Sequence, residues 1–178
     1  MKSEVVVIDS HGKGFEEAVT QTKKVAVYQE LDQQKTVRLQ LITEELLSLA
    51  RSITGELNAS FWIETEGTRF DLHLTTKTVM DKEKRYALLS TATSRKNEAA
   101  KGFLGKLRDA FEEAMLADVD YSDYDLPLEV LADVGGNNVS DPEWDGYERS
   151  ILKNLSDSVK IGIRGETVDV TVSKDFSK

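Results

Sequence analysis

The residues best placed for acid–base chemistry are two adjacent glutamates, Glu44 and Glu45, in the most regular helical pattern of the chain. Apolar residues recur there at the spacing of one helix face, which ends with Leu49 and Ile53. On that helical wheel Glu45 lies at the edge of the apolar stripe, whereas Glu44 points to solvent. A carboxylate at such an edge can be partly desolvated, as a general base requires. The simpler interpretation, which we favour, is a boundary glutamate that reaches water.

A second group of carboxylates lies between Asp118 and Glu148, a segment with ten acids and no Lys or Arg. This acidic segment accounts for the net charge of −9, because the rest of the chain has 22 acids and 23 bases. Its oxygen-bearing residues match positions 1, 3, 5 and 12 of a calcium loop that would end at Glu129. Asp123 stands where that loop requires glycine, so a solvated insertion is favoured over a calcium-responsive module.

Other chemistry-bearing side chains are few. The chain has no cysteine, and its two histidines, His11 and His73, are far apart in sequence. These facts exclude a thiol nucleophile and disfavour a zinc site or a His-based triad. No basic cluster is visible, which argues against nucleic acid and anionic membranes as partners. The only early apolar run, residues 5–8, is too short for a signal peptide or a membrane span, so a cytoplasmic location is expected.

The elements that must position these residues follow from the hydrophobic periodicity. Strands are predicted at 4–8, 60–65, 68–75, 159–163 and 168–172, and helices at 15–31, 32–53, 97–117 and 147–156, while 76–97 is ambiguous. Asp32 is the expected N-cap of the second helix, and Gly55 is its expected end. Each hairpin has one apolar face. Trp62 and His73 lie on the polar side of the first hairpin, where Trp62 is a candidate contact residue. Together the elements predict an α+β fold. It is a two-layer α/β sandwich whose mixed, mostly antiparallel sheet is covered on one face by helices.

Residues 37–49, Val-Arg-Leu-Gln-Leu-Ile-Thr-Glu-Glu-Leu-Leu-Ser-Leu, resemble the first conserved helix of the GHKL (histidine kinase-like) ATPases. That superfamily includes histidine-kinase catalytic domains and the anti-sigma serine kinases. The hairpin at 58–76 follows where the family places it, and residues 150–172 resemble the closing helix and strands of the anti-sigma branch. The resemblance implies a single Bergerat-type domain over residues 1–178. Residues 77–145 then form a divergent insertion or lid region that includes most of the acidic segment 118–148.

The family binds Mg-ATP through three elements, and this chain departs from each of them. The family glutamate falls on Glu45, but the magnesium-binding asparagine is replaced by Leu49, which has no oxygen for a hard cation. Thr76 and Lys77 stand where the family has an Asp-x-Gly-x-Gly motif that reads adenine. The phosphate-binding turn corresponds to 145–149, which keeps one glycine and adds two carboxylates. The nucleotide-pocket positions implied by the resemblance are therefore largely degenerate, and no metal ligand set is predicted.

The resemblance and the lost motif residues together predict a regulatory protein-binding module of bacterial signalling, without ordinary Mg-ATP chemistry. The partner implied by the family is a sigma factor or an anti-anti-sigma-type regulator, and a homodimer suits the resemblance. The alternative is an active ATP-dependent serine kinase with a rearranged pocket. In that case Glu45 activates the substrate hydroxyl, ATP and Mg²⁺ are the cofactors, and Lys77 or Lys82 meets the phosphates. The sequence leaves enzymatic activity open.

Overall fold

A computed structural model describes residues 1–55, 58–100, 102–117 and 151–177. Its elements are β1 (Val6–Ile8), α1 (Phe15–Tyr28), α2 (Gln33–Thr54), β2 (Ala59–Glu66), β3 (Arg69–Lys77), α3 (Lys82–Thr91), α4 (Gly102–Ala117), β4 (Ser158–Arg164) and β5 (Thr167–Asp175). Residues 151–155 add a helical segment before β4. The acidic segment, with its calcium-type spacing, the turn at 145–149 and the first part of the predicted helix at 147–156, lies outside the described residues.

The five strands form one sheet in the order β1-β2-β3-β5-β4. Two hairpins, β2–β3 and β4–β5, supply four of the strands, and an antiparallel pairing of β3 with β5 joins them. The fold is therefore α+β with helices beside an antiparallel sheet. The expected mixed sheet is corrected in one respect. In the described part of the chain the only parallel pairing is a single bridge between Asn97 and Ile161, outside the named strands.

One face of the sheet is apolar and buried, and it forms the core with α1 and α2. The large buried apolar residues of the strands are Val6, Ile8, Phe61, Ile63, Phe70, Leu72, Leu74, Val159, Ile161, Ile163, Val168, Val170 and Val172. The stripe predicted for α2 is confirmed, because Leu39, Ile42, Leu46, Leu49, Ala50 and Ile53 are all buried. Each large side chain contributes about 1.5–3 kcal/mol on full burial. Across the described residues, no helix is long and apolar enough to cross a membrane.

The ends of the two core helices are set by local backbone signals. Helix α1 ends at Tyr28 rather than Leu31, because Glu30 adopts a left-handed conformation with φ of 56°. Asp32 caps α2 as predicted, and its carboxylate accepts a hydrogen bond from the Lys35 amide at 2.8 Å. That hydrogen bond lowers the pKa of Asp32. Gly55, with φ of 76°, follows the last turn of α2, also as predicted.

The region that was ambiguous in sequence contains α3, and the predicted helix at 97–117 starts later than expected. Helix α4 begins at Gly102, because Asn97 is engaged with the outer edge of β4. The Asn97 Oδ1 atom accepts the Ile163 amide at 2.8 Å, and its Nδ2 donates to the Ile163 carbonyl at 2.9 Å. A side chain that imitates a neighbouring strand in this way covers a sheet edge.

The opposite edge of the sheet, at β1, is approached by another segment at one point. Gly14, at the start of α1, has φ of 89° and lies against the carbonyl of Val7 in β1. A Cβ atom at this position would come within 2.3 Å of that oxygen, so only glycine fits. Because other segments approach both edges, the broad surface of the sheet that remains is the face opposite the core.

Candidate functional site

The four positions of the family pocket occupy two elements. Glu45 and Leu49 lie one turn apart on α2, where Glu45 is half-buried and Leu49 is 4% exposed. Thr76 and Lys77 end β3 and point to opposite sides. Thr76 is buried and its Oγ1 donates to the Asn58 carbonyl at 2.9 Å, whereas Lys77 is exposed. Leu49 therefore packs in the core, and Thr76 supplies a hydrogen bond to a backbone carbonyl.

The side chain of Leu49 does not fit a magnesium ion. Mg²⁺ takes oxygen ligands in near-octahedral geometry, and a buried leucine offers none. Leu49 belongs instead to the apolar stripe with Leu46 and Ile53. Within the described residues, no three histidine, aspartate or glutamate side chains lie close enough together to hold a metal ion. The residues at this position therefore disagree with the cofactor chemistry that the family resemblance implies.

The uncovered face of the sheet, here called the open face, carries polar and aromatic side chains. Its polar and aromatic residues include Ser60, Trp62, Glu64, Asp71, His73, Thr75, Lys160, Asp169, Thr171 and Ser173. The exposed Val7 lies opposite Ser60 on the same face. The register places Trp62 opposite His73, and His73 opposite Thr171. Trp62 and His73 are each half-buried, which is the exposure expected of a sheet face that water reaches. Successive strand residues point to opposite faces, so the alternation that places apolar side chains on the buried face places polar and aromatic ones on the open face.

The centre of the open face is a set of five side chains, here called the Trp62 cluster: Lys2, Trp62, Glu64, His73 and Thr171. The Trp62 and His73 rings stack with centroids 5.0 Å apart and 9° between their planes. The Lys2 ammonium lies 4.7 Å from the centre of the Trp62 ring and 3.1 Å from Glu64 Oε1. That carboxylate oxygen also accepts the indole N–H at 3.1 Å. The His73 Nδ1 and Thr171 Oγ1 atoms are 3.1 Å apart.

These contacts hold an aromatic pair in one geometry on rigid strands. Stacking, the cation–π contact and the indole hydrogen bond each restrict Trp62 before any partner arrives. Side chains that are already ordered lose less entropy on binding than mobile ones. Tryptophan is also one of the residue types that most often dominate binding energy at protein interfaces. The Trp62 cluster therefore has the composition and the rigidity of a contact surface.

Charge on the open face is set by burial and pairing. Burial lowers the pKa of His73, and this outweighs the opposing effect of Glu64 and Asp71. Hydrogen bonds from Lys2 and Trp62 lower the pKa of Glu64. For Asp71, burial acts to raise the pKa, but hydrogen bonds from Arg69 and Ser173 and the Arg69 charge leave it lowered. At neutral pH the open face thus presents the neutral His73 imidazole beside the ionised carboxylates of Glu64 and Asp71.

Two solvent-open clefts border the cluster. One, of about 570 Å³, is lined by Met1, Lys2, Glu64, Thr65, Glu66 and Asp71. The other, of about 310 Å³, is lined by Glu98, Ala99, Lys160, Gly162, Arg164, Asp169 and Thr171. Both clefts carry side chains of either sign, and Arg164 is paired with Asp169. Interspersed charge of this kind suits a protein surface better than a nucleic-acid backbone, which needs clustered cations.

Sequence reasoning identified part of this site. It placed Trp62 and His73 on the polar side of their hairpin, and the structure confirms that placement. It missed Lys2 and Thr171, which reach the cluster from the two ends of the chain. The alternation within β5 indicated the face on which Thr171 lies, but no local signal indicated that Thr171 lies beside His73.

Comparison with known proteins assigns no family to this arrangement. No protein-family model matches the chain, and a sequence search of the curated proteins finds no match either. The functional assignment therefore depends on the open face and on the residues that stand at the positions of the GHKL pocket.

Proposed function

We propose that this chain is a divergent GHKL-type domain that acts as a regulatory protein-binding module and does not carry out ordinary Mg-ATP chemistry. The Trp62 cluster is the observation that carries the proposal. It offers a half-buried, preordered aromatic pair on a sheet face that no described helix covers. The proposed partner is a protein of a bacterial signalling switch, either a sigma factor or an anti-anti-sigma-type regulator, met in the cytoplasm.

The fold part of the proposal has separate support. The order of elements is a strand, two helices, a hairpin, further helices and a closing hairpin, which is the order that the resemblance implies. The core helix α2 carries the segment that resembles the first conserved helix of the family, and it packs over the apolar face of the sheet. These features favour a Bergerat-type sandwich for this chain.

The proposed mode of binding is contact with the face of the sheet rather than addition of a strand. Asn97 covers the β4 edge and Gly14 approaches the β1 edge, so both ladders meet other segments of the chain. A partner that presents its own side chains to Trp62 and to the flanking clefts would bury aromatic area and satisfy charges of both signs. Specificity then depends on the pattern of charges around Trp62.

Thermal unfolding with nucleotides tests the claim about ATP. The protein is titrated with ATP, ADP and a non-hydrolysable analogue, with and without Mg²⁺, and no shift is expected. A ligand at 100 times its dissociation constant would add about 2.7 kcal/mol, which is easily measured. A magnesium-dependent shift would overturn the proposal in favour of the serine kinase. Glu45→Gln should then abolish phosphoryl transfer without unfolding the protein.

Two matched variants test the claim about the open face. Immobilised wild-type protein, Trp62→Ala and Tyr28→Ala are compared for the proteins they retain, and retained species are then titrated in purified form. Tyr28 is the control because it is an exposed aromatic residue, 74% accessible, on α1 rather than on the sheet. The proposal expects binding that survives Tyr28→Ala and is lost in Trp62→Ala. A partner that binds Trp62→Ala as tightly as the wild type would place the contact elsewhere.

A further inference from the structure

Helix α4 is oriented the opposite way from an ordinary surface helix. Two polar residues face the rest of the protein: Asp109 pairs with Arg85 and accepts a hydrogen bond from Asn97, and Glu112 accepts the Gly165 amide at 3.3 Å. Three large apolar residues, Leu107, Phe111 and Met115, face outward instead. An amphipathic helix normally turns its apolar side to the core, so this orientation requires a reason.

The outward side of α4 is a continuous apolar surface, here called the α4 stripe: Leu107, Ala110, Phe111, Ala114 and Met115. The three large side chains are 57%, 64% and 59% exposed, and both alanines are exposed as well. Their spacing is i, i+3, i+4, i+7 and i+8, which places them on one helix face over more than two turns. Small residues between large ones allow another helix to approach closely. A contiguous patch of this kind marks an interaction site.

Buried polar contacts prevent α4 from rotating its stripe inward. Arg85 is 5% exposed and its guanidinium meets Asp109, while Asn97 binds both Asp109 and the Ile163 backbone. Turning the helix would leave the Arg85 charge buried without its partner, which is strongly destabilising. The stripe is therefore held on the outside by the same network that docks the helix.

We propose that the α4 stripe is a homodimer interface in which two copies of α4 pack antiparallel around a two-fold axis near Phe111. An isologous contact needs a self-complementary surface. Phe111 is the middle residue of the stripe. Antiparallel packing about Phe111 therefore places Leu107 of each copy near Met115 of the other.

The charges that border the stripe favour the antiparallel direction. Lys106 lies in the first half of α4 and Glu113 in the second, and both are exposed, whereas Arg108 is paired with Glu112 of the same helix at 3.3 Å. Antiparallel packing brings the basic half of one copy alongside the acidic half of the other, whereas parallel packing would align like charges. Rim charges of this kind set orientation more than affinity. A single helix pair is a small interface, so the dimer belongs to the weaker class.

Sedimentation equilibrium of the full chain tests the proposal. We expect a monomer–dimer equilibrium with half-association on the order of 10–100 µM. Phe111→Asp should weaken association at least about 100-fold, because a charge would enter the apolar contact. Tyr28→Asp, a charge at an equally exposed aromatic position on α1, should leave association unchanged. Thermal unfolding should show both variants folded.

Charge reversal tests the direction of packing. Lys106→Glu alone and Glu113→Lys alone should each weaken the homodimer several-fold, because each places like charges side by side. An equimolar mixture of the two variants should associate at least as tightly as the wild type. Association of each variant at wild-type strength would overturn the antiparallel arrangement.

Other results would remove the dimer altogether. A protein that stays monomeric up to about 1 mM, a concentration at which even very weak pairs associate, overturns it. A monomer whose stability falls steeply in Phe111→Asp would show that the chain itself covers the stripe. Trp62→Ala separates this inference from the proposed function, because no residue of the Trp62 cluster lies on α4. It should leave the dimer intact even if partner binding is lost.

Discussion

Phe61 and Trp62 are adjacent aromatic residues on β2, and they belong to different layers of the molecule. Phe61 is fully buried among the apolar side chains under α1 and α2. Trp62 is half-buried on the open face, stacked on His73 and covered on one side by the Lys2 ammonium. One step along a strand thus separates a residue that holds the fold from a residue available to a partner.

The two faces of the sheet are stabilised by different kinds of interaction. The apolar face gains from area removed from water, and each of its members is surrounded by the others. The open face gains from pairwise contacts, such as the Lys2–Glu64 ion pair and the cation–π contact, which are worth on the order of 1 kcal/mol or less when partly exposed. The open face can therefore change without unfolding the protein, which is what a recognition surface requires.

The largest expected effect comes from truncating the two aromatic residues in turn. Phe61→Ala should lower the free energy of unfolding by about 3–5 kcal/mol, because it leaves a cavity in the core. Trp62→Ala should lower it by about 1 kcal/mol, because it loses a stacked pair and little enclosed area. Urea unfolding of both variants measures the contrast. Equal losses would mean that Trp62 is also a core residue.

The next effect concerns Leu49, which lies on the buried side and which the resemblance aligns with the metal-binding asparagine of the GHKL family. Leu49→Asn should lower the free energy of unfolding by about 3 kcal/mol, because a polar amide would be buried among apolar side chains. Glu45→Gln, one turn earlier and half-buried, is the control and should cost far less. A stable Leu49→Asn protein that bound Mg-ATP would show instead that the family pocket is intact apart from this side chain.

The smallest effect is a pH dependence that belongs to the open face. Burial holds the folded pKa of His73 below its ordinary value of 6.5, so the unfolded chain binds the proton more readily. The stabilising contribution of the neutral ring is therefore present above about pH 6.5 and is lost as the pH falls toward the lowered pKa. His73→Gln should flatten this part of the stability profile, whereas His11→Gln, in a turn away from the sheet, should retain it. An unchanged slope in His73→Gln would assign the dependence to other groups.

Much of the fold was predictable because it depends on local patterns. The α2 stripe, the Asp32 cap and both hairpins follow from periodicity and turn residues, and all of them are present. The start of α4 was not predictable, because Asn97 is followed in sequence by the helix-favouring residues Glu98, Ala99 and Ala100 but is held by Ile163 of a distant strand. The orientation of α4 was not predictable either, because its apolar residues have the spacing of a helix that packs against a core.

The sequence by itself determined which residues alternate on each strand and which share a helix face, because those relations depend only on the periods of 2 and 3.6 residues. Its resemblance to the GHKL ATPases also aligns Leu49 with a metal ligand of that family. Only the tertiary structure decided that Lys2 and Thr171 join Trp62 and His73, and that α4 keeps its apolar side outward. Contacts between distant segments depend on how the elements dock, and docking is decided by the packing of the whole core and by buried pairs such as Arg85–Asp109.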